Sequence, residues 1–406
     1  MCRKSAIRVE ERNGRVRICA IGLRGIPDVM GGIETHCEHL YPRLSHIDDT
    51  AEIVVIGRKG YVVSGEWEGV RIVSLWAPRF MSLETVVHTP LAILYAWLFL
   101  KPDVIHLHAV GPGFFTPLAR LLGIPVVATH HGPDYKRPKF GRFGRWFLRT
   151  GQMMMARFAN KVICVSDVIH TMLAESYPRR KDNFVTIRNG APPMADEEPP
   201  VDGLLESLGL VPQKYILCVG RLDPFKGFHD AVEAFRRAAP EGFKLVIVGG
   251  SLGDDAYAAD LKAAASDDIV FAGARSTAEV RTLYQNAALF VHPSYLEGFP
   301  IVVLEALAAD VPIVASDIPP HREVGLDSRC YFPKGDVEAL SAILAEGDFA
   351  RFRCSRREQI LDDNDWDSVA RRHRDIFREV CGVSAPAAGR SIPPDSTPRH
   401  KTDSVD

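Results

Sequence analysis

Short apolar runs of strand length alternate with helix-length segments along most of this 406-residue chain, and they do so in two successive sets. Strands separated by helical segments build βαβ units, so the pattern favours doubly wound α/β domains over all-β or all-helical folds. In the first set, strands are predicted near Val16–Ile21, Ile53–Ile56, Val70–Leu75, Val104–Leu107, Val126–Thr129, Lys161–Val165 and Phe184–Ile187. The second set supplies Tyr215–Val219, Lys244–Val248, Ile269–Ala272, Leu289–His292, Ile313–Ser316 and Cys330–Phe332. Between them, the acidic, proline-rich stretch beginning at Asn189 reads as an interdomain linker, where a cleft should open. The expected organisation is a Rossmann-like domain over 1–190, a linker over 191–212, a second Rossmann-like domain over 213–362, a helical segment over 363–382 and a disordered tail over 383–406.

Composition narrows the class. With 46% hydrophobic and 25% charged residues the chain can bury two cores, and a net charge of −2 argues against a dedicated nucleic-acid binder. The eight cysteines are dispersed with no C-x-x-C pair, which fits a reducing compartment, and the first residues carry charge without an apolar stretch. A cytoplasmic protein is therefore expected. The apolar run Pro90–Leu100 is too short to span a bilayer and reads as a core helix.

The most specific chemistry lies in Glu297-Gly-Phe-Pro-Ile-Val-Val-Leu-Glu305. Pro300 suits a first helical turn, so Gly298 and Phe299 should present backbone N–H groups at a helix N-terminus, a natural phosphate site. Glu305 follows roughly 7 Å along a largely apolar helix. A carboxylate there needs hydrogen-bond donors, which the ribose hydroxyls of a nucleotide would supply; a pairing with a structural lysine is the alternative. About 75 residues upstream, by direct counting in the sequence, Tyr215-Ile-Leu-Cys-Val-Gly-Arg221-Leu-Asp-Pro-Phe-Lys226-Gly ends a strand in a loop with two cations. Ligands of parallel sheets sit at that end of the strands, so Arg221 and Lys226 can meet a diphosphate opposite the helix tip.

With those motifs in that order, the chain resembles glycosyltransferase family 4 over roughly residues 16 to 381. The resemblance implies the GT-B arrangement of two facing Rossmann-like domains, a retaining reaction and a final helix, about Trp366–Val380, that crosses back to the first domain. It implies that Arg221 and Lys226 hold the donor diphosphate, that Glu305 binds ribose and that Glu297 lies against the donor sugar. The opening segment Gly22-Leu-Arg-Gly-Ile-Pro-Asp-Val-Met-Gly31-Gly32-Ile-Glu-Thr is similar to a subgroup that includes bacterial rhamnosyltransferases of surface polysaccharide assembly. Donor binding by Gly31, Gly32, Arg221, Lys226, Glu297, Gly298, Phe299 and Glu305, and catalysis by His131, Glu297, Arg221 and Lys226, follow as expectations. The implied partners are a nucleotide-diphosphate sugar and a glycan or lipid-linked acceptor, with no cofactor, no metal and no nucleic acid.

Other segments bear on the site. Gly31 and Gly32 permit close backbone approach before a helix, but G-x-x-G spacing and a second strand ending at Gly57-Arg58 instead of an acid fit a dinucleotide poorly. Arg58 would suit a phosphorylated ribose, which keeps an NADP-dependent dehydrogenase as the alternative from another class. In Val127-Ala-Thr-His-His-Gly-Pro-Asp-Tyr135, the family pattern assigns His131 to the donor sugar; His130 reads as structural, and Pro133 beside Asp134 departs from the pattern. Adjacent histidines cannot easily share one zinc. Positive charge would then replace a metal in stabilising the departing diphosphate. Asp363 to Asp367 read as a helix cap and a solvated face. The stretch 136–149 holds six basic and four aromatic residues and no acid, suited either to a membrane surface at the inner leaflet or to a helix with packed aromatics. A nucleotide-sugar epimerase, a phosphorylase or a silent sugar-binding partner of the same architecture remain open.

Overall fold

The structure, a computed structural model, describes residues 15–78, 81–136, 140–192, 200–251 and 256–383. The expectations for 193–199 of the linker and for the tail after residue 383 lie outside the described residues. Eight strands form the first sheet: β1 (Val16–Ile21), β2 (Ala51–Arg58), β3 (Gly65–Trp67), β4 (Val70–Leu75), β5 (Val104–His108), β6 (Val126–His130), β7 (Lys161–Cys164) and β8 (Phe184–Thr186). Six form the second: β9 (Tyr215–Val219), β10 (Lys244–Val248), β11 (Ile269–Gly273), β12 (Leu289–His292), β13 (Ile313–Ser316) and β14 (Tyr331–Phe332). Both Rossmann-like units are thus present, and only β3 is unannounced by the sequence pattern, being three residues long and too short to show a period.

Strand order is β3-β4-β2-β1-β5-β6-β7-β8 in the first sheet and β11-β10-β9-β12-β13-β14 in the second. All pairs are parallel except β3 with β4. In each sheet the chain order reverses beside the first strand, between β1 and β5 and between β9 and β12. Those reversals leave a crevice at the carboxyl ends of the strands, the place where open α/β sheets bind ligands.

Five helices frame the crevice and its surroundings: α1 (Gly32–Ile47), α2 (Met81–Tyr95), α3 (Arg142–Phe158), α4 (Ile301–Ala308) and α5 (Trp366–Cys381). α5 buries Trp366, Val369, Phe377 and Val380 against Leu40, Tyr41 and Leu44 of α1, inside the first core. Its start is capped by Asp365, whose carboxylate accepts from the amides of Asp367 and Ser368 at 3.2 and 2.8 Å. Gly190 makes room for this return: a Cβ there would lie 2.4 Å from the Trp366 ring. Buried Arg378 ties the far end of α5 to Asp48 at 3.1 Å.

The expectation of a core helix at Pro90–Leu100 needs correction. α2 runs into a π-helical turn, Ala96–Leu100, and the continuous rod carries apolar residues both toward the core and toward solvent. Ala92, Ile93 and Ala96 are buried, whereas Leu91, Leu94, Trp97, Leu98 and Phe99 are exposed.

Candidate active site

The second sheet contributes a charged half-site. After β9, the chain turns through Gly220, and Gly227 follows with a φ of 66° and a would-be Cβ 2.2 Å from the carbonyl oxygen of Pro293. Only glycine allows the two loops to approach so closely. Between them, the Asp223 carboxylate accepts from the Phe225 amide at 3.1 Å and caps the short turn that ends in Lys226. Lys226 Nζ consequently reaches Glu297 Oε1 at 2.6 Å, where Ser294 Oγ also donates at 2.6 Å and His292 Nε2 lies at 3.0 Å. Burial opposes ionisation of Glu297, but the Lys226 charge and the His292 bond outweigh it and hold the carboxyl well below its ordinary range.

Glu305 lies along α4 and is partly exposed, with the Tyr284 hydroxyl 3.2 Å from Oε2. Burial pushes its carboxyl up to about 7, opposed by the Tyr284 hydrogen bond and the Lys226 charge. The Lys226 charge thus favours ionisation of both carboxyls, through an ion pair at Glu297 and electrostatically at Glu305. Half-buried Arg221 begins the same loop, and the next residue, Leu222, is fixed by its amide to the Gly250 carbonyl at 3.0 Å. Pro300 sits at the N-cap of α4 instead of in its first turn, so the helix starts one residue later than expected, at Ile301.

The first sheet contributes a neutral half-site built on histidines. Alternation along β5 puts His106 and His108 on one face, toward α1 and α5. Thr129 Oγ1 to His106 Nε2 at 2.7 Å, His106 Nδ1 to Tyr41 OH at 2.9 Å, Tyr41 OH to His108 Nε2 at 2.6 Å and His108 Nδ1 to His131 Nε2 at 3.0 Å form one continuous chain. His36 packs edge-on to His131 and bonds the Asn189 amide oxygen through Nδ1 at 2.9 Å. Burial, reinforced by the other histidines, drives His131 and His108 well below the ordinary imidazole range, so both are neutral near pH 7. His130 is held apart from this chain by Gln152 at 3.0 Å and by the Gly132 amide at 3.2 Å. Asp134 opens a short 3₁₀ turn after the His131 strand end.

The two halves touch where the sequence motifs meet. A Cβ on Gly298 would stand 2.0 Å from the His131 carbonyl oxygen, and one on Gly132 would stand 3.6 Å from the Gly298 Cα. Asn189, already bonded to His36, donates its amide to the Phe299 carbonyl at 3.2 Å. Nearby, Arg188 and Glu323 pair across the junction at 2.9 Å. His131, Gly298, Phe299, Glu297 and Lys226 thus share one neighbourhood, and Glu305 joins it through Lys226. Gly31 borders it: its positive φ of 153° and a would-be Cβ 2.1 Å from Glu34 Oε2 let Glu34 fold back onto Arg24 at 3.1 Å, while Met30 reaches toward Gly250 of the second sheet. Gly32 opens α1, and a Cβ there would meet no atom.

Arg58 is placed elsewhere. Its guanidinium is buried against Glu84 at 2.6 Å and Thr85 at 3.3 Å, which removes it as a receptor for a ribose phosphate. Among the described residues, two groups of metal-ligand types converge, His36 with His108 and His131, and His292 with Glu297 and His321. In the second, the Lys226 ammonium already takes the Glu297 oxygen that an ion would need, and in the first, His108 is engaged through both ring nitrogens.

Sequence reasoning passes over His36, Tyr41, His106, His108, Ser294 and Tyr284. The His106-Leu-His108 alternation at a strand end was a readable signal for two of them. The others come from separate segments with no spacing to tie them together.

Known proteins match the chain over both lobes. Residues 30–193 match the family model described as Glycosyltransferase Family 4, and residues 206–346 match Glycosyl transferases group 1. The chain is similar to the alpha-maltose-1-phosphate synthase of Mycolicibacterium smegmatis, with 30% identity over 313 residues that cover 68% of this chain and 79% of the relative. It is similar to the O-antigen chain mannosyltransferase B of Escherichia coli at 25% identity over 219 residues, 52% of this chain and 54% of that one. Among solved structures, sucrose-phosphate synthase from Thermosynechococcus elongatus superposes with a TM-score of 0.75 at 21% identity, covering 91% of this chain and 100% of that one. Anabaena HepE in complex with UDP-glucose superposes with a TM-score of 0.70 at 18% identity, covering 90% and 100%.

Proposed function

Since the chain belongs to glycosyltransferase family 4 and is an enzyme that transfers sugars, we propose that it moves a hexose or deoxyhexose from a nucleotide-diphosphate donor to an acceptor hydroxyl, with retention of configuration. The observation that carries this reading is the Lys226–Glu297 ion pair beside the loop where Gly298 packs on the His131 carbonyl of the first lobe. The diphosphate gains charge as the glycosidic bond to it breaks. Lys226, Arg221 and the backbone amides of Gly298 and Phe299 supply fixed positive potential there, which is worth more in a narrow, water-poor crevice than in bulk solvent. Glu305 takes the ribose hydroxyls. Its carboxyl, raised to about 7, gains donors when they bind.

The three bonds that hold Glu297 all fall on Oε1, so Oε2 is assigned to a hydroxyl of the donor sugar. His131 has Nε2 engaged by His108, which assigns Nδ1 to the same sugar. A front-face route, in which the departing phosphate accepts the proton of the incoming hydroxyl, needs no protein nucleophile and fits a site whose first half is neutral.

The reading extends to the acceptor as a glycan or lipid-linked glycan of bacterial surface polysaccharide synthesis, within or near the rhamnosyltransferase subgroup. The likeness to an O-antigen mannosyltransferase and the basic aromatic stretch 136–149 support it, and the cysteines among the described residues, free and mostly buried, suit a cytoplasmic setting. The UDP-glucose held by HepE supports a nucleotide-sugar donor. The test is turnover of a nucleotide-sugar panel with membrane extracts as acceptor, with the product anomer read by NMR. Release of nucleoside diphosphate coupled to an extended glycan supports the reading. An altered nucleotide-sugar without transfer, or an inverted product, would overturn it.

A further inference from the structure

The face formed by α2, its π-helical extension and the first turns of α3 exposes eight large apolar side chains. Leu83, Leu91, Leu94, Trp97, Leu98 and Phe99 are exposed by 48, 39, 39, 43, 52 and 69%. Leu83, Leu91, Leu94 and Trp97 recur at intervals of eight, three and three residues, which lines them along one side of a rod roughly 24 Å long at 1.5 Å per residue, and Leu98 and Phe99 follow directly. Such contiguous exposure marks an interaction site. The π turn matters here because its extra residue per turn brings Trp97, Leu98 and Phe99 out together.

α3 continues the surface. Phe147 and Leu148 are buried in a small cluster with Val110, against which Val86 of α2 packs, so the start of α3 adjoins the start of α2. On the outer side of that contact, Phe143 and Trp146 are exposed by 73 and 54%. Arg142 and Arg145 are exposed beside them. From Val104 to Phe158 the sequence holds eight arginines and lysines (120, 136, 137, 139, 142, 145, 149 and 157) and a single acid, Asp134, in a chain whose net charge is −2.

We infer that this face docks the enzyme on an anionic lipid bilayer, with α2 and its π turn lying in the interface and the arginines of α3 on the headgroups. A helix of this length and hydropathy, Leu83–Leu100, meets the length needed to cross a membrane. It lies on the bilayer instead, because its other side is committed to the first core through Ala92, Ile93 and Ala96, and Glu84 and His88 are tied to Arg58 and the Gly57 carbonyl at 2.6 and 3.2 Å. The concentration of positive charge selects the occupant. A second copy of the chain brought face to face would set like charges together, whereas anionic headgroups are attracted by each cation. The surface belongs to the first sheet's lobe, so docking leaves the second lobe and its charged half-site clear of the lipid. The inference extends the acceptor-side reading, but membrane binding needs no turnover and is tested apart from it.

The experiment is co-sedimentation of the full chain with phosphatidylcholine vesicles, with and without phosphatidylglycerol, alongside its Trp97→Ser/Phe99→Ser and Arg142→Gln/Arg145→Gln variants. Wild type should sediment with the anionic vesicles and release with added salt. The arginine variant should bind about 25-fold more weakly, two cations at about fivefold each. The aromatic variant should lose binding by a similar factor or more while its transfer to a water-soluble acceptor, or failing that its donor-induced thermal shift, stays at the wild-type value. Wild type that ignores anionic vesicles, an aromatic variant that binds them equally, or a wild-type dimer that this variant converts to monomer would each overturn the inference.

Discussion

The two half-sites around the cleft solve opposite electrostatic problems. In the second lobe, full charges are brought together: Lys226 pairs with Glu297 and holds its carboxyl ionised, while burial raises that of Glu305 to about 7. In the first lobe, eight imidazoles of that lobe and the α5 helix are pushed toward neutrality, most of them in contact with one another, while the second lobe has two. The difference separates two tasks. On the proposed function, charge would neutralise a polyanionic leaving group, and a neutral hydrogen-bonded chain would orient a sugar without attracting the diphosphate to the wrong lobe.

The strongest way to break this comparison is Lys226→Ala. It removes the cation on which both carboxylates rely, and turnover should fall by about 10² to 10³, as for loss of a principal oxyanion donor. Steady-state kinetics with the preferred donor checks it; near-wild-type kcat would remove charge from the second lobe's role.

Acid stability sharpens it from the other side. His36 and His373 are lowered to about 4 and about 3 by burial, first of all, against an ordinary 6.5. The unfolded chain therefore binds these protons first, and stability present above pH 6.5 is lost as pH falls toward 4, by on the order of 3 kcal/mol for each such histidine. Glu297, being lowered, gives up its contribution only below the ordinary carboxylate range. Between pH 6.5 and 5, hydrogen exchange should quicken in β5, β6 and α1 before it does in β9 and β12. Uniform loss would deny the asymmetry.

A smaller effect concerns Glu305. With its carboxyl near 7 and ribose hydroxyls bound to the ionised form, donor affinity should be about tenfold weaker at pH 6 than at pH 8. Calorimetric titration with nucleoside diphosphate reads this directly, and Glu305→Gln should flatten the profile. The smallest expected change is Tyr41→Phe. Its hydroxyl links His106 to His108 through two neutral hydrogen bonds, and if about 1 kcal/mol of their loss is felt at His131, kcat should fall roughly fivefold with donor KM unmoved. A variant that changes KM alone, or stability alone, would make Tyr41 a core residue without a part in orienting His131.

Much of the second half-site was legible in the chain. Gly220-Arg221 with Lys226-Gly227, and the acids at 297 and 305, are local devices: a strand end, a tight glycine turn and a helix start each lie within a few residues of the charge they present. Alternating apolar runs likewise determined two parallel sheets, because period and length are properties of consecutive residues. The exposed face of α2 was not legible. An apolar helix with one side in a core and the other in solvent has the same composition as one buried all round, and only packing decides between them.

The sequence by itself determined the strands, the order of the motifs and which residue types stand at the strand ends. Tertiary structure alone decided that Lys226 lies on Glu297, that Gly298 meets the His131 carbonyl, and that Thr129, His106, Tyr41, His108 and His131 join into one chain. The physical reason is range. Backbone preference and side-chain period act between neighbours along the chain, whereas a hydrogen bond between residues 41 and 108, or a contact between 131 and 298, exists only once two sheets and a returning helix have fixed their distances.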